Sequence, residues 1–326
     1  MKAVETRTVK PDEAGIRLDR WFKLYFPGLG FGHLQKLIRS GQVRVDGARV
    51  EASARLAAGQ AVRVPPLADT DTRKGAPTSL SKAGDREALE AVILHEDADV
   101  IVLNKPYGLA VQGGSGLTKH VDQMLDSLTD KQGRKPRLVH RLDRDTAGVL
   151  LVARTRSAAA FLGEAFKARE TRKLYWAIVA AVPRPADGRI STFLAREEDK
   201  ERMRIAKHGE SGADHAVTMY ALADQAGQKV SFVVMRPITG RTHQLRAHAA
   251  HIGHPIVGDP KYFNIENWEL PGGLQNRLHL LARRIVVPHP KGGALDVSAP
   301  LPPHMQQSFA VLGFDERGGD EAAERL

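Results

Sequence analysis

Apolar residues recur at helical spacing near the N-terminus and at strand-like spacing further on. Leu18, Trp21, Phe22 and Tyr25 fall three and four apart, which puts them on one face of a helix. Leu34, Leu37 and Ile38 repeat that period and predict a second helix, stopped at Ser40-Gly41 because Gly takes the left-handed turn that ends helices. Gln42-Val43-Arg44-Val45 and Ala48-Arg49-Val50 flank Asp46-Gly47, a strong hairpin signal. A last strand, Ala61-Val62-Arg63-Val64, stops at Pro65-Pro66. Residues 15–65 are therefore expected to form a small α+β domain. Residues 66–87, rich in Ala, Asp, Thr, Gly, Ser and Lys without an apolar period, read as a flexible linker.

A larger unit is expected over residues 88–314. Its strand candidates are residues 100–103, 149–153, 175–182, 216–222 and 230–235. Helices are expected at 157–167, with Ser157 as N-cap and Phe161, Leu162, Ala165 and Phe166 as the buried stripe, and at 242–252. Strands follow one another without intervening helices, which predicts an α+β fold on a mixed, largely antiparallel sheet. Residues 315–326 are polar and read as a frayed tail.

The chain has 326 residues, 42% of them hydrophobic, enough for two cores. With no cysteine, disulfides, thiolate metal sites and a Cys nucleophile are excluded. Residues 1–10 are polar and mixed in charge, and no apolar run has membrane length, so a cytoplasmic protein without a membrane partner is expected. The net charge of +10 biases the chain toward polyanions. Arg17, Arg20, Lys23, Lys36, Arg39, Arg44, Arg49 and Arg63 lie on the polar phases of the N-terminal elements, the pattern of a phosphate-gripping face.

The densest chemistry is at residues 140–148, His-Arg-Leu-Asp-Arg-Asp-Thr-Ala-Gly, directly before the apolar run 149–153. Alone it reads as a solvated turn with Asp–Arg pairs. Held against a buried strand, it is a place where reactive groups are fixed rigidly. Asp143 and Asp145 could form the carboxylate pair of a glycosidase. His243, His248, His251 and His254, spaced five, three and three apart with no Glu among them, do not make a helical metal site. Gly113-Gly114-Ser115-Gly116 before Lys119 lacks the Gly-Lys-Ser/Thr core of a nucleotide loop.

Four further polar stretches stand beside strands: residues 103–109 (Leu-Asn-Lys-Pro-Tyr-Gly-Leu), 173–177 (Lys-Leu-Tyr-Trp-Ala), 239–248 (Thr-Gly-Arg-Thr-His-Gln-Leu-Arg-Ala-His) and 253–259 (Gly-His-Pro-Ile-Val-Gly-Asp). Together with the nonapeptide, and in this order, they resemble the pseudouridine synthases that modify large-subunit ribosomal RNA, the type with an N-terminal S4-like RNA-binding domain. The resemblance covers about residues 93–305, and the S4-like part about 15–64, through Arg17-Leu18-Asp19 and residues 37–43.

This resemblance implies a role for each residue. Asp143 is the nucleophile, and whether it attacks uracil C6 or ribose C1′ stays open. Arg241 is the guanidinium paired with it, opposing the pKa rise that burial causes. Tyr175 stacks on the uracil and moves a proton, Leu280 walls the uracil, and Arg141 fills the gap left by the flipped uridine. His140 makes either a phosphate contact or a loop-ordering hydrogen bond. The sequence reads Leu280-Leu281-Ala282 where the family has Leu-His-Ala. Arg17, Arg39 and Arg44 contact RNA. The reaction breaks C1′–N1 and rejoins C1′ to C5 with nothing oxidised or lost, so no metal or cofactor is expected. The implied partner is large-subunit ribosomal RNA and the implied state a monomer. The rival readings are a non-catalytic RNA-binding or ribosome-assembly protein and a carboxylate-dependent glycosidase of nucleosides or sugars.

Overall fold

A computed structural model describes residues 4–26, 29–67, 79–113, 119–197, 202–266 and 268–326. Among them are the strands β1 (Glu5–Thr8), β2 (Arg44–Val45), β3 (Ala61–Val64), β4 (Ile93–Glu96), β5 (Val100–Lys105), β6 (Arg137–Leu138), β7 (Ala147–Ala153), β8 (Arg172–Ala180), β9 (Asp187–Arg196), β10 (Met203–Ala206), β11 (Asp214–Ala226), β12 (Val230–Pro237), β13 (Leu280–Pro288) and β14 (Ala294–Ser298). The helices are α1 (Leu18–Tyr25), α2 (Phe31–Arg39), α3 (Ser79–Glu90), α4 (Val121–Met124), α5 (Arg156–Lys167), α6 (Gln244–His251), α7 (Pro303–Leu312) and α8 (Glu316–Glu324). The chain divides into two compact units, Met1–Thr78 and Ser79–Leu326.

In the first unit β3 is the middle strand, antiparallel to β1 and β2. Leu18, Trp21, Phe22, Leu34, Leu37 and Ile38 of α1 and α2 pack on Val43, Val45, Val62 and Val64. Asp46 and Gly47 both take positive φ, 50° and 80°, as a tight hairpin turn requires. The expected return arm over 48–50 shrinks to one bridge, Val45 to Ala48, and β2 pairs with β3 instead. β1 escaped the pattern because Glu-Thr-Arg-Thr, on the edge of the sheet, buries neither face.

Two boundaries are corrected. Of the expected linker 66–87, residues 68–78 lie outside the described ones, but Ser79 onward is helical and belongs to the second unit. Leu89, in its final turn, anchors α3 to the core. The expected tail 315–326 is the packed helix α8. Asp315 caps it by accepting from Arg317 N, and Ala322 and Ala323 are buried. A Cβ on Gly319 would sit 2.6 Å from Phe232 and 2.7 Å from Trp176. The contact is built from Gly and Ala, which carry little apolar bulk.

The second unit holds an eleven-stranded sheet in the order β10-β9-β11-β12-β8-β13-β7-β5-β4, with β14 on β13 and β6 on β7. Pairing is antiparallel except between β13 and β7. Alternation sorts the side chains into two faces. Leu174, Trp176, Phe232, Val149, Leu151 and Val100 meet α5, α7 and α8 on one face. The other face is split. Ala177, Val179, Val233 and Met235 pack on α6, while Ile101, Leu103, Leu150 and Val152 pack on α3 and α4. In α5 the cap is Thr155 rather than Ser157, and the buried stripe is Ala158, Leu162 and Ala165, with Phe161 left 42% exposed.

Candidate active site

One line of register crosses the middle of the sheet: Met235–Tyr175–Ala282–Gly148–Lys105. It runs through the gap on the split face, and Tyr175 packs against both apolar clusters that bound the gap. Gly148, at φ 108°, lets β13 come close, since a Cβ there would lie 2.2 Å from the Ala282 carbonyl oxygen. A cleft of about 560 Å³ opens here. It is lined by the 139–146 loop, β8, the 237–243 loop and the first turn of α6.

The loop that carries Asp143 is fastened at both ends. Beneath it, buried Lys105 donates to the carbonyls of Pro106 (3.0 Å), Leu109 (2.8 Å) and Arg144 (3.0 Å). These three acceptors use all three protons of the ammonium group. Burial pulls the Lys105 pKa down to about 7, against the opposing pull of Asp145 and Asp143. At the other end His140 Nε2 accepts from Leu151 N at 2.8 Å, and its ring stacks on Phe166 at 4.9 Å. Burial, with Lys173 nearby, holds the His140 pKa at about 3, so the ring is a neutral acceptor. Of the two roles open for His140, this contact is the loop-ordering one. Thr146 N donates to Asp143 O (3.2 Å), and Arg144 pairs with Asp145 (3.1 Å).

The cation beside Asp143 is Arg246, not Arg241. Arg246 Nη1 lies 3.5 Å from Asp143 Oδ2, and the same guanidinium grips Asp259 through two bonds of 2.7 Å. Arg246 is buried and lies over the Tyr262 ring at 5.2 Å. Burial opposes its charge, but the bonds to Asp259 outweigh that and raise its pKa. Arg241 turns the other way, to Asp214 (3.3 Å) and the His215 carbonyl (3.2 Å). The reason is where the helix starts. α6 begins at Gln244, so Arg241 stays in the loop before it while Arg246 is carried inward on the first turn.

His243 stands at the N-cap of α6 with φ 50°, a strained setting for a residue with a Cβ. Its Nε2 lies 3.7 Å from Asp143 Oδ2, and Nδ1 is 3.1 Å from the Tyr262 hydroxyl. Gln244 locks this corner with four bonds. Its oxygen accepts from Arg241 N and Thr239 Oγ1, and its amide nitrogen donates to Val217 O and Thr218 Oγ1. His248 is buried between Thr218 and Thr192, and His254 meets the Ala180 carbonyl.

Tyr175 lines the cleft, and burial together with the charge of Asp143 raises its pKa, which keeps the hydroxyl protonated. Leu280 lines the same cleft and is 3% exposed. Its neighbour His279 points away, to Ser308 at 2.7 Å. Arg141 is exposed and also lines the cleft. In the first unit Arg17 pairs with Asp19 (2.7 Å), Arg44 donates to the Gly41 and Gly47 carbonyls (3.1 Å each), and Arg39 is exposed at the end of α2.

Sequence reasoning missed Arg246, Asp259, His243, Tyr262 and the fastening role of Lys105, although four of them sit inside the motifs it singled out. Two signals were available. Arg246 follows His243 by three residues, one helical turn on the same face. Asp259 follows Gly258, where a Cβ would lie 1.9 Å from the Arg277 carbonyl oxygen, so that only Gly permits the turn presenting Asp259.

A family model described as RNA pseudouridylate synthase matches residues 99–251. The ribosomal large subunit pseudouridine synthase C of Pasteurella multocida is 37% identical over 95% of this chain and 94% of its own length. The protein of the same name from Yersinia pestis is 36% identical over 95% and 96%. Among solved structures, human RNA pseudouridylate synthase domain containing 4 superposes with a TM-score of 0.60 and 29% identity, over 71% of this chain and 96% of that one. Relatives this similar, over nearly the whole length and on the fold that builds this cleft, establish that the chain belongs to the RNA pseudouridylate synthase family.

Proposed function

We propose that the protein isomerises uridines of large-subunit ribosomal RNA to pseudouridine, with Asp143 as the attacking carboxylate. The observation that carries this reading is the pairing of Asp143 with buried Arg246 in a cleft whose other cations outnumber its carboxylates. Such a cleft favours a polyanion over a neutral sugar. A uridine within a helix hides C1′ and C6, so the target base must leave the stack to reach Asp143. Arg141, exposed beside the cleft, is suited to fill the space left behind.

Asp143 attacks C6 or C1′ and the C1′–N1 bond breaks. The ring turns between Tyr175 and Leu280, and C5 bonds to C1′. The C5 proton then leaves, N1 takes up a proton, and the carboxylate is released. Atoms and electrons balance without a redox partner. Arg246, clamped by Asp259, fixes where the carboxylate points. Tyr175 offers a neutral hydroxyl that donates a hydrogen bond or relays a proton. In the first unit Arg20, Lys23, Lys36, Arg39 and Arg49 are exposed and available to phosphates, whereas Arg17 and Arg44 add charge while holding their own fold. With this reading goes a cytoplasmic monomer; light scattering checks the monomer, and cell fractionation the location.

Asp143→Asn tests the reading on an unmodified transcript of large-subunit ribosomal RNA. Pseudouridine formation is expected to vanish while binding, followed across a salt series, stays near that of the wild type. Residual turnover by the variant removes Asp143 from the chemistry.

A further inference from the structure

Lys173 is a cation that the mechanism above does not use. It lies on β8 two residues before Tyr175, so both side chains leave the same face of the strand, about 7 Å apart. Both line the cleft. Gly240, in the facing loop, is a near neighbour of the ammonium group: a Cβ there would sit 3.7 Å from Lys173 Nζ, an ordinary contact. Of the neighbouring cations, buried Arg246 is matched by Asp259 and Asp143, and Arg241, turned away, by Asp214. Among the described residues no carboxylate pairs with Lys173. Burial alone shifts its pKa, and it lowers it, as for a cation held away from water without a counter-charge. Thr171, two residues earlier and also lining the cleft, buries a hydroxyl oxygen with no partner among the described residues.

We propose that Lys173 binds a backbone phosphate of the target nucleotide and so sets how deeply the flipped uridine enters the cleft. An RNA phosphate lies about one strand step of two residues from the base it carries, which matches the spacing of Lys173 from Tyr175. The phosphate supplies the missing counter-charge. Lysine suits the task because it acts as a point charge and tolerates the changing angles of a phosphate that arrives as the base swings in. Lys173 is thus a positioning residue, acting on substrate placement rather than on the bonds that change.

This inference rests on the pseudouridine synthase reading, and its test separates the two. The wild-type full chain first acts on a large-subunit ribosomal RNA transcript to locate a modified uridine. Absence of any product defeats the functional reading itself. A synthetic hairpin around that uridine is then made in three forms: unmodified, and with a neutral methylphosphonate at either the 5′ or the 3′ phosphate. Lys173→Met is expected to raise KM about 10- to 100-fold, the usual worth of a hydrogen bond to a charged group, with far less change in kcat. Lys173→Arg is expected to restore most of the loss. One of the two methylphosphonates should cost the wild type a similar factor and cost Lys173→Met little more. Additive losses, or a fall in kcat at unchanged KM, overturn the proposal. Should Lys173→Met fail to fold, the wild type still decides, because full activity on both methylphosphonate hairpins means that no phosphate is held there.

Discussion

Arg241 and Arg246 stand five residues apart in one motif, and they do different work. Arg246 has three carboxylate contacts from a buried position, two of them parallel bonds to Asp259. A lysine keeps the charge but cannot hold Asp259 with two bonds while also facing Asp143. Arg246→Lys is therefore expected to lower kcat about 100-fold or more, the equivalent of one or two charge-assisted hydrogen bonds. Arg241→Lys, whose partner Asp214 is 62% exposed, is expected to lose far less. Steady-state rates of both variants on the same RNA decide it, and an equal loss in the two would return Arg241 to the site.

At the scale of elements, α8 shows how a helix can be invisible in a hydrophobic pattern. It rests on Trp176 and Phe232 through Gly319, with Ala322 and Ala323 beside it. Gly319→Val must push two buried aromatic rings, and overpacking of this kind costs about 1–3 kcal/mol. Gly163→Ala in α5, where a Cβ meets nothing within 4 Å, is the matched control, and there helix propensity adds about 0.5–1 kcal/mol of stability. Urea unfolding of the two variants checks both signs. A frayed tail would leave Gly319→Val unchanged. The 139–146 loop makes the same point in polar form, because its position depends on Lys105 in β5 and on the β7 amide from which His140 accepts.

For the molecule as a whole, the buried histidines set a pH limit on stability. Burial first of all lowers the pKa of His140 to about 3 and those of His248 and His279 to about 4. The unfolded chain binds a proton on each near pH 6.5. Their neutral forms therefore contribute stability that is fully present above about pH 6.5 and is lost as pH falls toward 4. Three such groups give a slope of at most about 4 kcal/mol per pH unit between those limits. The urea midpoint is expected to fall steadily from pH 7 to 5, and a flat profile would mean that these rings accept protons while folded. The limit belongs to the second unit, where all three residues lie.

Much of this protein was written in local order along the chain. The helical period of Leu18, Trp21 and Phe22, the alternation in β3, the apolar runs of β5 and β7 and the five polar motifs all follow from near neighbours, because backbone geometry converts spacing directly into a face. The family resemblance those motifs carry implied a shared site for Asp143, Tyr175 and, from outside the motifs, Leu280, and all three line one cleft. Contacts between distant segments lay beyond reach. Which of two arginines meets Asp143 depends on where α6 begins and on Asp259, held from another loop. Whether residues 315–326 pack depends on a glycine meeting Trp176, far earlier in the chain. The register line from Met235 to Lys105 exists only once five strands are laid side by side. Burial and ion pairing are properties of space rather than of sequence distance, and the tertiary fold alone decided them.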